Sequence, residues 1–391
     1  MKLIPITFLF TLFLVGCSTT DNSSSDDASD DPNNTDPISF TLLSETNTFP
    51  QLPQGMVQDA QNRPYFYVAM KAGGVVIYND SAQQITSVST ANFDGLHVMN
   101  ITQEANYLYV ALGDFFNSSG SKAGLAIIDV STPETPFVTD VWTTQTTLKG
   151  SAVVKVQDNY AYLGAMNQGV FVLNISDKNS ISETSQFIPD PNFPTPNPNN
   201  IQEPNARGMD IKNNLLFLCY DAGGIRVLDI TDRANVTEIG RYINENIDKQ
   251  QAYNNILING NLAYVGTDFC GMEILDISNP ANPTRLSWLN PWDCGSNTNT
   301  WFNSEGHINQ LGHDPSANLI FLSAGRSEMV IVDVSDSSNP VLVSTYGNVN
   351  NQKGVWGISL KGNKAHLLYI TSVVPFVSTF AGIRVVEWQQ N

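Results

Sequence analysis

The sequence predicts an all-β fold, a seven-bladed β-propeller built from four-stranded antiparallel blades. A short phrase recurs along the chain: an apolar run, an Asp or Asn, an aliphatic residue, and a Ser or Thr. Successive copies of the phrase lie 45 to 57 residues apart, close to the length of a four-stranded blade. An aromatic-rich run precedes each copy, and turn signals containing Gly and Asn separate the runs. These spacings indicate one closed ring of repeats.

The repeated phrase is predicted to be the third strand of each blade. The five complete copies have their polar residue at Asp129, Asn174, Asp229, Asp276 and Asp333. Weaker copies at residues 74–79 and 382–387 bring the number to seven. A short carboxylate at a strand end can accept hydrogen bonds from the backbone N–H groups of the following turn, which gives the repeated Asp a structural role. Metal binding by some of these acids is the alternative.

The other strands follow from position and composition. The aromatic-rich run, such as Tyr65 to Ala69, is the second strand, because aromatic and β-branched residues favour strands. The first strand precedes it and ends in a tight turn such as Ile258-Asn-Gly-Asn261. A more polar fourth strand, such as Val341 to Thr345, follows the phrase. The four strands are expected to run from the ring axis outward.

The two ends of the chain are predicted to complete one blade. The last phrase is followed directly by Trp388 and the chain end, so the seventh blade lacks its own fourth strand. The segment from Ile38 to Glu45 precedes the first blade and has the pattern of a fourth strand. Pairing it with residues 383–387 closes the ring and covers an open sheet edge.

The repeated phrase resembles the LVIVD repeat, whose defining sequence Met329-Val-Ile-Val-Asp333 nearly reproduces. The resemblance covers roughly residues 38 to 391. It implies a β-propeller on a secreted or cell-surface bacterial protein, in a family whose biochemical role is mostly undefined. Asn79, Asn174 and Glu387 depart from the repeat, since each replaces its Asp.

The N-terminus has the pattern of a lipoprotein signal. Lys2 precedes an apolar run from Leu3 to Val15 that is too short to span a bilayer. The run ends at Leu14-Val-Gly-Cys17, which resembles a bacterial lipobox and implies cleavage before Cys17 and lipidation of that Cys. A plain secretory signal with an incidental Cys is the alternative. The expected organisation is a signal peptide at 1–16, a tether at 17–37 and a propeller at 38–391.

The predicted tether is rich in Ser, Asp and Asn and contains no residue that could build a core. Such a segment is expected to be a disordered stalk, so the membrane is contacted through the lipid anchor only. By resemblance to bacterial sorting rules, Ser18 favours the outer membrane. The location is therefore predicted to be the bacterial cell envelope, on either the periplasmic or the surface side.

Composition excludes several partners. The formal net charge is −18, a field that repels nucleic acid phosphates and anionic headgroups. No run indicates a long amphipathic helix or a coiled coil, and a monomer is expected. Of the cysteines after Cys17, Cys219 is predicted to be buried in a strand. Cys270 and Cys294 fall in loops that emerge on the same face, where a disulfide is expected in an oxidising compartment.

The long insertions all emerge on that same face, where binding residues concentrate on a rigid scaffold. They carry aromatic side chains that are candidates for binding a protein, peptide or glycan, with packing onto the propeller as the alternative: Phe115, Phe116, Phe193, Trp292, Trp301, Phe302, Phe376 and Phe380.

Polar candidates are expected at the mouth of the central channel, where the first strands begin. They are His97, Arg207, Tyr253, Asn254, Glu305, His307 and Trp356. A metal ion held by His97, Glu305 and His307 is one hypothesis, and a hydrated acidic mouth without a cofactor is the other.

No catalytic motif is present in the sequence, and His313, in a predicted turn, and His366, in a second strand, are interpreted as structural. Two functions remain. One is a tethered recognition module that binds through the loop-rich face, and the other is an extracellular hydrolase or lyase acting at the channel mouth.

Overall fold

The computed structural model describes residues 36–193, 204–247, 253–294, 305–371 and 378–391. Within these ranges the fold is almost entirely β, and the helical segments are three short 3₁₀ turns at Thr90–Phe93, Asp221–Gly223 and Val349–Asn351. No helix in the described ranges is long and apolar enough to cross a membrane. The predicted signal peptide and tether, including Cys17, lie outside the described residues.

Twenty-eight strands account for the described fold. The N-terminal strand and the first two blades comprise β1 (Ile38–Glu45), β2 (Gly55–Gln58), β3 (Tyr65–Ala69), β4 (Val75–Asn79), β5 (Gln84–Val88), β6 (Val98–Glu104), β7 (Tyr107–Leu112), β8 (Gly124–Asp129) and β9 (Phe137–Thr143). Blades three and four comprise β10 (Val153–Gln157), β11 (Tyr160–Gly164), β12 (Val170–Asn174), β13 (Ser182–Phe187), β14 (Gly208–Lys212), β15 (Leu215–Cys219), β16 (Ile225–Asp229) and β17 (Thr237–Tyr242). The remaining blades comprise β18 (Asn255–Asn259), β19 (Leu262–Gly266), β20 (Met272–Asp276), β21 (Thr284–Leu289), β22 (Ile308–Asp314), β23 (Leu319–Ala324), β24 (Met329–Asp333), β25 (Val341–Tyr346), β26 (Val355–Lys361), β27 (Lys364–Tyr369) and β28 (Gly382–Gln390).

The strands form seven four-stranded antiparallel sheets, which confirms the predicted propeller. Six sheets use four consecutive strands in chain order. The first strands β2, β6, β10, β14, β18, β22 and β26 contact one another in that order around the axis, and β26 contacts β2. The aromatic and aliphatic side chains of the second and third strands pack between neighbouring blades and form the core.

The seventh blade is completed by the N-terminal strand, as predicted. Its order is β1, β28, β27, β26, and β1 pairs antiparallel with β28 from Ile38 opposite Gln390 to Glu45 opposite Arg384. Strand β28 continues three residues beyond the repeat phrase, because residues 388–390 also pair with β1. The ring is therefore closed by backbone hydrogen bonds between the two ends of the propeller.

The repeated Asp or Asn has the structural role that the sequence suggests. In six copies its side-chain Oδ1 accepts a hydrogen bond of 2.7–3.0 Å from the backbone N–H two residues later. This bond forms a tight Asx turn at the end of six of the seven third strands, which explains why the residue type recurs with the fold. One prediction is wrong in detail: His313 lies within β22 and contacts the ring of Tyr264, because β22 extends to Asp314.

Candidate ligand-binding site at the mouth of the central channel

The first strands of all seven blades start at the same end of the channel, because each blade repeats the same path from axis to rim. The residue just before each start therefore comes to the channel mouth. Gln54, His97, Arg207, Asn254 and His307 occupy this position in blades one, two, four, five and six. Residues far apart in sequence thus meet at one opening.

The loop after β7 reaches across this opening. The Phe115 ring lies 4.6 Å from the guanidinium carbon of Arg207 in blade four. The neighbouring Phe116 ring lies 6.1 Å from the Trp356 ring in blade seven and 5.0 Å from the Lys71 ammonium in blade one. We call Phe115 and Phe116, whose ring centres are 4.3 Å apart, the aromatic plug. The plug spans the mouth, and 40% of Phe116 remains exposed to solvent.

Asp114 anchors the aromatic plug. Its Oδ2 atom lies 3.2 Å from Lys71 Nζ and 3.1 Å from His97 Nδ1. Its Oδ1 atom accepts a 2.9 Å hydrogen bond from the backbone N–H of Phe116. The anchor therefore joins the plug loop of blade two to blade one and fixes the direction of the Phe116 ring.

Two buried carboxyl groups stand beside the mouth, at equivalent positions of blades four and five. Asp221 and Asp268 are the second residues after β15 and β19, and they are only 2% and 1% exposed. Both have left-handed backbone conformations, with φ of 45° and 38°. Lys71 of blade one occupies the same repeat position with φ of 45°. Such conformations are costly for residues other than Gly and are often kept at functional sites.

The two carboxyl groups have different partners. Asp221 accepts a 2.9 Å hydrogen bond from Asn205 Nδ2, and its Oδ1 lies 3.9 Å from Arg207 Nε. Burial raises the pKa of Asp221 to about 7 despite the nearby Arg207. Asp268 Oδ1 lies 2.6 Å from His307 Nε2 and accepts a 3.3 Å hydrogen bond from Asn254. Burial also raises the pKa of Asp268, while His307 opposes the rise.

His307 is held tightly by aromatic rings. Its imidazole stacks on Trp356 with ring centres 5.5 Å apart and meets the edge of Phe269 at 5.0 Å. Trp356 thus connects His307 to the aromatic plug through Phe116. The arrangement favours a fixed imidazole at the wall of the mouth.

A cavity lies at this end of the channel, next to the aromatic plug. Its lining includes Arg207, the rings of Phe115 and Trp356, and a set of carboxamide side chains. The carboxamides are Gln54, Asn100, Asn254, Asn255, Asn309 and Gln310. A pocket that combines aromatic walls with a few directed polar groups has the composition of a small-molecule site.

Several candidate residues do not reach the mouth. Tyr253 is fully buried between blades four and five, where its hydroxyl accepts a hydrogen bond from the Asn244 N–H and donates one to Glu273. Phe193 lies over the Arg226 and Arg241 guanidinium groups at 4.8 and 5.0 Å. These contacts place Tyr253 in the core and Phe193 against the outer strands of blade four.

Two further aromatic candidates pack against the propeller. Trp292 is half-buried against the core between blades five and six, and a Cβ added at Gly306 would lie 2.3 Å from its indole ring. Phe380 is 7% exposed and packs on Tyr369. For these rings the alternative of loop packing holds. Trp301, Phe302 and Phe376 lie outside the described residues.

The structure does not join His97, Glu305 and His307 into one group. His97 pairs with Asp114, His307 pairs with Asp268, and Glu305 is exposed, with its backbone carbonyl bonded to Ser327. Across the described ranges, no group of three or more His, Cys, Asp or Glu side chains is placed to hold a metal ion.

Cys270 and Cys294 are joined by a disulfide with a Cα–Cα distance of 5.0 Å, and Cys219 is a buried free thiol. The bond links the loop after β19, which carries Asp268, to the segment after β21. The disulfide therefore braces the wall of the mouth next to Asp268.

Reasoning from the sequence missed Lys71, Asp114, Asp221 and Asp268. A signal for three of them was available, because Lys71, Asp221 and Asp268 occupy one repeat position in the loop after the second strand. Blades three and six have Met166 and Gly325 at this position. Polar residues there stand out once the repeats are aligned.

Comparison with known proteins agrees with the fold. A protein-family model described as the LVIVD repeat matches residues 97–144, 150–188, 253–287 and 318–348. The chain therefore contains four LVIVD repeats within a seven-bladed β-propeller. No curated protein sequence is significantly similar to it.

Solved structures resemble the LVIVD-repeat propeller in fold alone. The structure of U3-55K has a TM-score of 0.62 and 11% identity, covering 89% of this chain and 98% of that one. Sqt1 of Saccharomyces cerevisiae has a TM-score of 0.56 and 10% identity, covering 90% and 99% of the two chains. The computationally designed Ika8 protein has a TM-score of 0.52 and 10% identity, covering 88% and 99%. Identities this low carry no functional inference.

Proposed function

We propose that this protein is a recognition module of the bacterial cell envelope that binds its partner at the mouth of the central channel. The observation that carries the proposal is the convergence of Phe115, Phe116, Arg207, Trp356 and Lys71, from blades one, two, four and seven, on one opening. An exposed aromatic ring beside cationic groups on a rigid scaffold is typical of a recognition site.

The partner is a protein, peptide or glycan that presents a group to the channel mouth. Phe116 offers a flat apolar surface, while Lys71 and Arg207 offer hydrogen-bond donors in an otherwise acidic molecule. The lipobox at Cys17 and the acidic tether support a lipid-anchored location, where such a site would face the periplasm or the outside of the cell.

The proposal is tested by probing glycan and peptide arrays with the full chain carrying Cys17→Ser, so that the protein is unanchored. Phe116→Ala is expected to weaken binding at least about fivefold, because an anchor ring at such sites contributes more than about 1 kcal/mol. Phe137→Ala is the matched control, since Phe137 is 56% exposed but lies on the outer strand β9. Equal losses for both variants, or none for either, would refute binding at the mouth.

A second candidate function is hydrolysis or elimination at the same mouth. One observation favours it: burial beside Arg207 raises the pKa of Asp221 to about 7, so this carboxyl group could exchange a proton near neutral pH. Asp221→Asn would then abolish turnover of a bound ligand and leave its binding intact. Unchanged turnover in that variant would remove the enzymatic candidate.

A further inference from the structure

One residue that lines the cavity next to the aromatic plug has a hydrogen-bond acceptor without a partner among the described residues. Gln54 lines the cavity and is 4% exposed. Its Nε2 donates to the Pro53 carbonyl, whereas its Oε1 is buried without a hydrogen-bond partner among the described residues. Leaving a buried acceptor without a donor costs free energy, part of which a ligand that donates to it would recover.

The cavity also contains a guanidinium group available to a ligand. Among the described residues that line the cavity, Arg207 is the one positively charged side chain. Its internal ion pair with Asp221 is 3.9 Å long at Nε, which is longer than a hydrogen bond. The Phe115 ring covers one face of the guanidinium at 4.6 Å and leaves the N–H groups at its edge for an acceptor.

We propose that this cavity binds a small hydroxycarboxylate, whose carboxylate pairs with Arg207 and whose hydroxyl group donates to Gln54 Oε1. This inference deepens the proposed recognition function, on which it rests, by naming the chemical class of the group that enters the channel. The remaining carboxamides at the lining, Asn100 and Asn255 among them, can bond to further hydroxyl groups of the ligand.

The surrounding charges select a monocarboxylate over a more highly charged anion. One guanidinium lines the cavity, and the carboxyl groups of Asp221 and Asp268 both interact with it electrostatically. A phosphate dianion would meet these acids without a second cation to offset them. A single carboxylate matches the planar fork of one guanidinium.

The aromatic plug shields this site from water. Phe115 contacts Arg207 directly, and Asp114 ties the loop to Lys71 and His97. Removing water from around the guanidinium strengthens its pairing with a carboxylate.

Isothermal titration calorimetry with three-carbon probes tests the inference on the full chain carrying Cys17→Ser, at constant ionic strength. Glycerate has both groups, propionate lacks the hydroxyls, and glycerol lacks the carboxylate. Glycerate is expected to bind at least about fivefold more tightly than either, because it alone makes both pairings. Equal affinity for all three probes, or no heat from glycerate, would overturn the inference.

Two variants test which side chain binds the carboxylate of the ligand and which binds its hydroxyl group. Arg207→Lys keeps the charge but loses the planar fork, and it should weaken glycerate binding about tenfold, whereas Arg241→Lys, on the outer strand β17, should not. Gln54→Leu should weaken glycerate binding at least about fivefold and leave propionate binding unchanged. If Arg207→Lys fails to fold, the Gln54→Leu result decides the inference. If the protein binds a partner through Phe116 but does not bind glycerate, the inference is wrong and the proposed recognition function is unaffected.

Discussion

Asp221 is a buried carboxyl group whose ionisation the fold opposes. Burial raises its pKa from 3.8 to about 7, and the nearby Arg207 and Asn205 only partly offset that rise. Between these two values the folded protein holds a proton that the unfolded chain has released. Stability contributed at this site is therefore lost as pH rises from 3.8 to about 7.

Asp221→Asn should stabilise the protein at pH above 7 and have little effect at pH below 3.8, where the acid is protonated in both states. The rise in pKa corresponds to at most roughly 4 kcal/mol of unfolding free energy, since one pKa unit is about 1.4 kcal/mol. Urea unfolding across this pH range measures the difference. Asp229→Asn is the control, because hydrogen bonds to Thr231 lower the pKa of Asp229 and its replacement should reduce stability at neutral pH. A gain for Asp221→Asn that is independent of pH would contradict the prediction.

At the residue scale, the sequence predicts some of the side chains at the channel mouth, but it also places there a residue that is buried in the core. Arg207, Phe115, Phe116 and Trp356 could be predicted because strand starts and long loops converge on one face. Tyr253 could not be separated from Asn254 by position, although neighbouring side chains at a strand start point in opposite directions and only one of them faces the channel. Whether a loop ring such as Trp292 packs or stays exposed depends on three-dimensional contacts with residues such as Gly306.

At the scale of single elements, the strands follow from local chemistry that recurs in every blade. The Asx turn after the third strand of six blades and the positive-φ turn residues such as Asn213 and Gly260 mark the strand ends. The residue type in the loops after the second strands varies from blade to blade, so Asp221 and Asp268 stand out only once the repeats are aligned. Fold was thus predictable from repetition, whereas the site lies where the repeats differ.

The disulfide between Cys270 and Cys294 should be formed in the mature protein. Alkylation of the denatured, non-reduced Cys17→Ser protein is expected to modify one thiol, that of Cys219. Cys219→Ala, which removes it, provides the control and should leave none. Modification of three thiols would contradict the pairing.

Loss of the disulfide should loosen the wall of the mouth. The bond closes a 24-residue separation, for which the entropic stabilisation is about 3 kcal/mol. Cys270→Ser with Cys294→Ser should therefore lower the melting temperature, and hydrogen exchange should increase most in the loop that carries Asp268. A uniform increase in all blades would indicate a global effect instead.

At the scale of the whole molecule, the resemblance of residues 14–17 to a lipobox predicts that membrane attachment depends on Cys17. Cys17→Ala should move the protein from the membrane fraction to the soluble fraction, because acyl chains contribute about 0.8 kcal/mol per buried CH₂ and the tether offers no apolar surface. Fractionation of cells after a high-salt wash measures the change. Ser18→Ala is the control and should leave the protein in the membrane fraction, and retention of Cys17→Ala there would contradict the prediction.

Ring closure is the property on which the whole propeller depends. β1 supplies the outer strand of the seventh blade: Ile38 is buried, Phe40 packs on the Tyr346 ring of blade six, and Glu45 pairs with Arg384. A chain that begins at Asn47 loses this strand and exposes the edge of β28. The loss should reduce the unfolding free energy by several kcal/mol, since burial of Ile38 alone contributes roughly 1.5–3 kcal/mol.

A chain that begins at Asp36 keeps β1 and is the matched control. Thermal unfolding should show a lower melting temperature for the Asn47 chain only, and a separate peptide of residues 36–46 should restore it in part by pairing with β28. If the two shortened chains melt at the same temperature, β1 does not close the ring energetically, and the stability of the propeller must come from contacts between neighbouring blades alone.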